Sequence, residues 1–224
     1  MVSISEGVKC LAQSGLLEHR NAVGLAGALD DRRKRWPGTN WLTNCRYIQD
    51  GNTVTTAGVV AAVPMTMALV EAIVGRDKAL ALGQQIGVSD WSPAHDASGF
   101  DASVGYRLNA LLGLLSRHES VVIAVTDGVD DLALGLALNP WSRTHRTRVI
   151  VTSPRSSFQS GSGLMLMPID TRSDHVDYRT TVDNTIGARQ LAQTIDEITA
   201  RYGPGATDIL RVELEVDQSS PSGM

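Results

Sequence analysis

Only two cysteines, Cys10 and Cys45, occur in the 224 residues, and they have no CxxC spacing. A disulfide framework and a zinc ribbon are therefore not expected, and a reducing, cytoplasmic setting is. Aromatic residues make up just 4%. No apolar run approaches the ~18 residues that a membrane span needs, and the first fifteen residues lack the basic stretch and apolar core of a secretory signal. There is no DxDxDG-type loop and no HxxxH pair, so no metal is expected. The lone glycines of Gly161-Ser162-Gly163 and Gly203-Pro204-Gly205 sit outside any strand-to-helix phosphate context, so no nucleotide cofactor is expected either. A formal charge of −4 offers no broad basic field. The expected partner is accordingly a small molecule or a protein, not nucleic acid or a membrane.

What is present is an alternation of strand and helix patterns in a chain that is 42% hydrophobic. That alternation points to an α/β layered fold with a mostly parallel sheet flanked by helices. The opening Met-Val-Ser-Ile-Ser-Glu-Gly reads as a strand end turning straight into a helix over 6–14, with Ser5 at the apex, as helix cap or as nucleophile. Strands are expected near 21–25, 41–47 and 53–56, the last two around the turn Gln49-Asp50-Gly51-Asn52. A helix over 29–35 should stop before Trp36-Pro37-Gly38, because the residue before proline avoids helical geometry. Its run Asp30 to Arg35 reads as a solvated helix end. Helices follow over 64–74, expected to be mostly buried, and over 77–86, closed by Gly87. Val104, Leu108, Leu111, Leu112 and Leu115 mark another at helical spacing.

From Ser120 a second unit begins. Val121 to Val125 suits a parallel strand buried on both faces, Asp130 to Leu138 a helix ended by Asn139-Pro140, and 148–152 the next strand: a βαβ unit. A polar turn region over 153–163, a short strand over 164–167, an irregular stretch over 170–183, a helix over 185–202 and a last strand over 209–216 complete the reading. Residues 217–224 are expected to be a disordered tail.

Several islands agree in order and spacing with one family. Gly7, Leu11-Ala12, Gly15-Leu16-Leu17, Arg20, Ala22, Arg46-Tyr47, Asp50-Gly51-Asn52, Thr55, Ala57-Gly58 and Glu71 to Gly75 resemble the DJ-1/PfpI family of the class I glutamine-amidotransferase-like superfamily. The stretches Trp91 to Phe100, Gly128 to Ala133, Trp141 to Thr144 and Gly163 to Pro168 resemble its longer, regulator-type members. The resemblance implies a flavodoxin-like α/β/α sandwich. The core, residues 1–118, would begin at the elbow without the usual first half-domain. Residues 119–216 would complete the same sheet, as a circular permutation would. A dimer is the expected assembly.

The resemblance also implies where chemistry has changed. Catalytic relatives carry a cysteine at the elbow, lowered in pKa by the helix end; here it is Ser5, an alcohol that needs a base within about 3 Å. The family histidine falls on Leu25 and the acid on Ala133. The remaining candidates are Glu6 as acid, base or helix-dipole partner, His95 with Asp96 as general base or loop tie, and Asp127 at a strand's carboxyl end as ligand group or turn cap. Trp91, Asp96, Asp130, Asp131 and Trp141 are candidate substrate contacts, and Asp90, Asp101 and His145 lie in the same loops. Two functions are expected from this set. One is a cofactor-free enzyme, a lyase, hydratase, isomerase or cyclase acting on a small organic molecule by acid–base chemistry through Ser5, Glu6, His95 and Asp127. The other is a catalytically inactive ligand-binding or regulatory protein. DNA binding is suggested only by the regulator relatives, and no helix-turn-helix segment is visible.

Overall fold

The computed structural model describes residues 1–100, 104–168, 176–184 and 187–216. Asp101, the stretch 170–175, residues 185–186 and the tail 217–224 lie outside them. Within the described residues the chain forms two compact units, one of residues 1–100 and 211–216 and one of residues 104–210. Both mix helices with parallel strand pairs.

In the first unit, β1 (Val2–Ser3) pairs parallel with β5 (Thr53–Thr56), and β5 pairs antiparallel with β4 (Tyr47–Asp50). The turn Gly51-Asn52 joins β4 to β5, and Gly51 takes the positive φ of 57° that such a turn needs. A second parallel pair is β2 (Asn21–Ala22) with β3 (Asn40–Trp41). The expected strands at 21–25 and 41–47 are thus shorter, because Cys45 instead bridges Ala94 and Arg46 N–H donates to the Pro93 carbonyl. Helix α1 (Val8–Gln13) buries Val8 and Ala12 against Leu17, Ala22 and Trp41. Helix α2 (Leu29–Arg35) ends before Trp36-Pro37, where the sequence indicates. Its basic run is not uniformly solvated: Arg32 is 1% exposed. Leu29, Arg32 and Trp36 fall on one helical stripe, and the first and last of them pack on that core.

Helices α3 (Ala62–Val74) and α4 (Arg76–Ile86) follow, and Gly87 closes α4 at φ 80°. Burial of α3 is one-sided. Pro64, Met65 and Met67 are buried, whereas Leu69 and Ile73 are 49% and 72% exposed, since the residues at 100° steps alternate between packed and open sides.

In the second unit, α5 (Val104–Leu115) precedes a parallel sheet with order β10-β6-β7. Strand β6 (Glu119–Ala124) lies between β7 (Thr147–Thr152) and β10 (Tyr178–Thr181), parallel to both. Strand β10 falls in the stretch read as irregular, because Tyr178 to Thr181 carries no run of apolar residues to announce it. Helix α6 (Asp131–Arg143) continues one turn past the expected stop, with Pro140 inside it. The Asn139 backbone stays helical, and Trp141, 0% exposed, packs its ring 5.2 Å from Tyr178 and 6.2 Å from Tyr202. That packing outweighs the cost of an internal proline. Inside the region read as a polar turn, β8 (Phe158–Gln159) pairs antiparallel with β9 (Met165–Leu166). Helix α7 (Gln190–Tyr202) buries Leu191 and Ile198, and α6 and α7 pack on each other.

The last expected strand is a helix, α8 (Pro204–Leu214). Val212, Leu214 and Val216 alternate with charged residues and suggest a strand, but Ala206, Ile209, Leu210, Glu213 and Leu214 are all buried at helical spacing. The longer pattern wins. A Schellman-type bond from Val216 N–H to the Arg211 carbonyl, 3.3 Å, and a left-handed Glu215 at φ 53° close the helix.

Two outcomes test this packing. Trp141→Ala should cost about 3–5 kcal/mol in urea unfolding, the range for deleting a large core aromatic. Tyr202 donates to Glu119 at 2.6 Å, and burial followed by that hydrogen bond pushes its phenol up to about 12. The folded state therefore holds the neutral phenol above the unfolded value of ~10, and the stability it lends is lost as pH rises from about 10 through 12. Alkaline titration at the phenolate band should show a late step that Tyr202→Phe removes.

Candidate functional site

Ser5 occupies the apex expected of it. Strand β1 ends at Ser3, Ser5 takes φ 51°, and a short 3-10 turn over Ser5–Gly7 leads into α1. A serine in the left-handed region costs about 1 kcal/mol, which the surroundings must hold in place. They do so from β5: Thr56, 0% exposed, accepts from the Ser5 N–H at 3.2 Å. Ser5 itself is 4% exposed. No side-chain cap bond is made at this turn.

Glu6, the next residue, pairs with Lys9 and, at 3.4 Å, with Arg32. The Arg32 guanidinium lies over the Trp41 ring, 5.2 Å from its centroid, and its Nε has no hydrogen-bond partner among the described residues. Burial holds the Arg32 pKa below its ordinary value, against the opposing pull of Glu6 and Glu215. Glu215 is the residue that sequence reasoning missed. Its carboxylate accepts from the Ala26 N–H and approaches His95 Nε2 at 3.2 Å. The Glu215 side chain is 2% exposed. His95 stacks on Phe100, ring centroids 5.2 Å apart and 6° from parallel. Arg32, Cys45, His95 and Glu215 share one cavity of about 10 Å³, room for about one water molecule. Burial, then the Glu215 charge, pushes the Cys45 thiol up, the opposite of what a nucleophilic cysteine needs.

Leu25 has φ −48° and ψ 125° and starts the short turn Ala26–Ala28. Gly58 allows a close passage nearby: a Cβ there would meet the Leu214 carbonyl oxygen at 2.7 Å, which brings Glu215 into the unit's interior.

The other candidates hold loops together. The Asp96 carboxylate accepts from Ser98 N–H at 2.9 Å, and that bond keeps it below the usual carboxylate range. Trp91 donates its indole N–H to Glu71 at 2.6 Å, while Arg76 lies over its ring, 5.7 Å from the centroid. The Trp91 hydrogen bond and then Arg76 hold Glu71 below the usual range. These residues and Asp90 line an open cavity of about 500 Å³. His95 and Asp96 do not act as a pair, since one faces Glu215 and the other its own loop.

In the second unit, Asp127 follows β6 and accepts from the Gln159 N–H at 3.0 Å and from Arg155. Asp130 caps α6, accepting from Ala133 N–H at 2.6 Å. Asp131 accepts from Ser162 N–H at 3.0 Å, and Ser160, with Ser162, holds its carboxyl below the usual range. Ala133 is 0% exposed inside α6. Trp141 is a core residue of the aromatic cluster, not a ligand contact. His145, at φ 56°, follows α6. Asp127 and Arg155 line an open cleft of about 830 Å³ with Ser156, Ser157, Gln159 and Ser160. It lies at the carboxyl ends of β6 and β7, the edge where open α/β sheets bind ligands. Asp127 and His95 therefore line different cavities. Arg155 carried no sequence signal beyond its place in a serine-rich turn after a strand.

Among the described residues no group of three or more His, Cys, Asp and Glu side chains is arranged to hold a metal ion. No described helix is long and apolar enough to cross a membrane. Fold and sites together define a mixed α/β protein with parallel sheets and an open polar cleft at a sheet's carboxyl edge. No family model matches the chain, and no curated protein matches it.

The two thiols supply the test of this cluster. Cys10 is exposed and Cys45 half-buried. Reaction with a disulfide reagent at pH 8 should be biphasic, with Cys10 fast and Cys45 at least about 10-fold slower, because Cys45 is less accessible and burial disfavours its thiolate. Glu215→Gln should speed the slow phase by removing the charge that raises the Cys45 thiol.

Proposed function

We propose that the chain is a DJ-1/PfpI-like α/β protein that has given up covalent chemistry and serves as a ligand-binding or regulatory module for a small organic molecule. One observation carries this reading: the acid–base groups are already committed. Asp127, Asp130, Asp131 and Asp96 each accept from a backbone N–H, and Glu6 is paired with Lys9 and Arg32. His95 is half-buried against Glu215 beside a space for about one water. An alcohol at the elbow without a neighbouring base is a poor nucleophile.

Two features support the family reading. The strand, the left-handed Ser5 and the helix that follows have the form of a nucleophile elbow. The order β10-β6-β7, with the first strand in the middle, is the 2-1-3 order at the start of a flavodoxin-like sheet. The ligand is assigned to the cleft of Asp127 and Arg155, whose volume of about 830 Å³ is that of a small-molecule site. The protein is taken to work in the cytoplasm, with Cys10 and Cys45 as free thiols.

The enzyme reading rests on the His95–Glu215 pair, a largely buried imidazole–carboxylate contact of the kind that orients a general base. A single experiment separates the two. The protein is incubated with a metabolite panel, followed by thermal shift and by mass spectrometry of the panel. The binding reading predicts a ligand that raises Tm when present at ~100 times its dissociation constant. It further predicts that Asp127→Asn with Arg155→Ala removes the rise and that no compound is converted. Turnover that disappears in His95→Gln would move the protein to the enzyme class.

A further inference from the structure

Three buried polar atoms of the first unit belong to residues that line one small space. Arg32 Nε, His95 Nε2 and Glu215 Oε2 each lack a hydrogen-bond partner among the described residues. Their side chains are 1%, 13% and 2% exposed, so bulk water does not reach these atoms. A single orphaned buried polar atom is costly, and three lining one cavity call for a common partner. The cavity they share has a volume of about 10 Å³.

The three cannot satisfy one another. Glu215 Oε1 already accepts from the Ala26 N–H, which fixes the carboxylate. His95 Nε2 lies 3.2 Å from Glu215 Oε2, yet the two make no hydrogen bond, because a proton on Nε2 would be poorly aligned with that oxygen. The ring is not free to turn toward it. Its face stacks on Phe100, and its own backbone N–H donates to the Asn44 carbonyl at 3.2 Å.

We propose that this cavity is a binding site for one water molecule, which accepts from Arg32 Nε–H and donates to Glu215 Oε2 and to His95 Nε2. Room for about one probe sphere and three polar partners are what a buried water requires. A cation there would face the guanidinium and an anion the carboxylate, whereas a neutral molecule with two protons and a lone pair matches all three atoms. The pattern also sets the state of the histidine. Nε2 must accept, so the ring is neutral with its proton on Nδ1. His95 is thereby a positioning residue, whether the protein binds its ligand or converts it. Its Nε2 is taken up by a water in a space with no room for a substrate.

The test is a crystal structure of the wild-type chain at atomic resolution, together with long-range proton–nitrogen NMR of its histidine rings at pH 8. A density peak should lie about 2.7–3.2 Å from all three atoms. The His95 ring, identified by its loss from the spectrum of His95→Gln, should show the Nδ1–H pattern. His95→Gln keeps an acceptor in Oε1 and should keep the water; His95→Phe has none and should lose one long-lived water in deuteron relaxation dispersion. Should His95→Phe fail to fold, the wild-type density and ring state decide by themselves. An empty cavity overturns the proposal. So does a ring protonated on Nε2, or a long-lived water count that His95→Phe leaves unchanged.

Discussion

A buried guanidinium governs the first unit. Arg32 is 1% exposed, and taking its charge out of water is costly unless anions and a ring face replace the lost hydration. Glu6 supplies one anion from the residue after the elbow, Trp41 supplies the ring, and Glu215 adds a second negative charge from the residue that ends α8. The elbow turn, α2, β3 and the return of the chain at residue 215 are thus tied to one cation. His95 is drawn into the same arrangement through Glu215. What looks like an assembly of catalytic groups is first a solution to a desolvation problem.

The same constraint accounts for the partners found around the elbow. Ser5 has a left-handed backbone, and Thr56 secures it from the neighbouring strand. Glu6 is paired with Arg32, and the Cys45 thiol, in the same cavity as His95, is pushed toward its neutral form. In the second unit the carboxylates work in a similar way. Asp127, Asp130 and Asp131 fasten the hairpin β8–β9 and the start of α6 to the ends of the parallel strands. They leave an open polar cleft at the edge where α/β sheets receive ligands.

Much of the local structure was legible. Pro37 marks the end of α2, Gly87 that of α4, and the apolar run Val121 to Val125 identifies β6, because each signal acts within a few residues. The failures have a common cause in contacts distant along the chain. The segment after Ile209 has strand-like alternation and helix-like spacing at once, and burial chooses the helix. Pro140 should stop α6, but Trp141 must reach Tyr178 and Tyr202. His95 was legible as a candidate, but its partner Glu215 lies far away in sequence and behind a misread element. Arg32 carried a weak signal, an arginine on the stripe of Leu29 and Trp36, hidden in a run of charges.

The central claim is that Arg32 and Glu215, which line one small cavity and interact electrostatically, depend on each other for stability. A double-mutant cycle by urea unfolding measures that dependence directly. Arg32→Met and Glu215→Gln should each cost about 3–5 kcal/mol, the cost of stranding a buried charge, and the double variant should lose far less than their sum. Additive losses, or single losses below about 1 kcal/mol, would contradict the account.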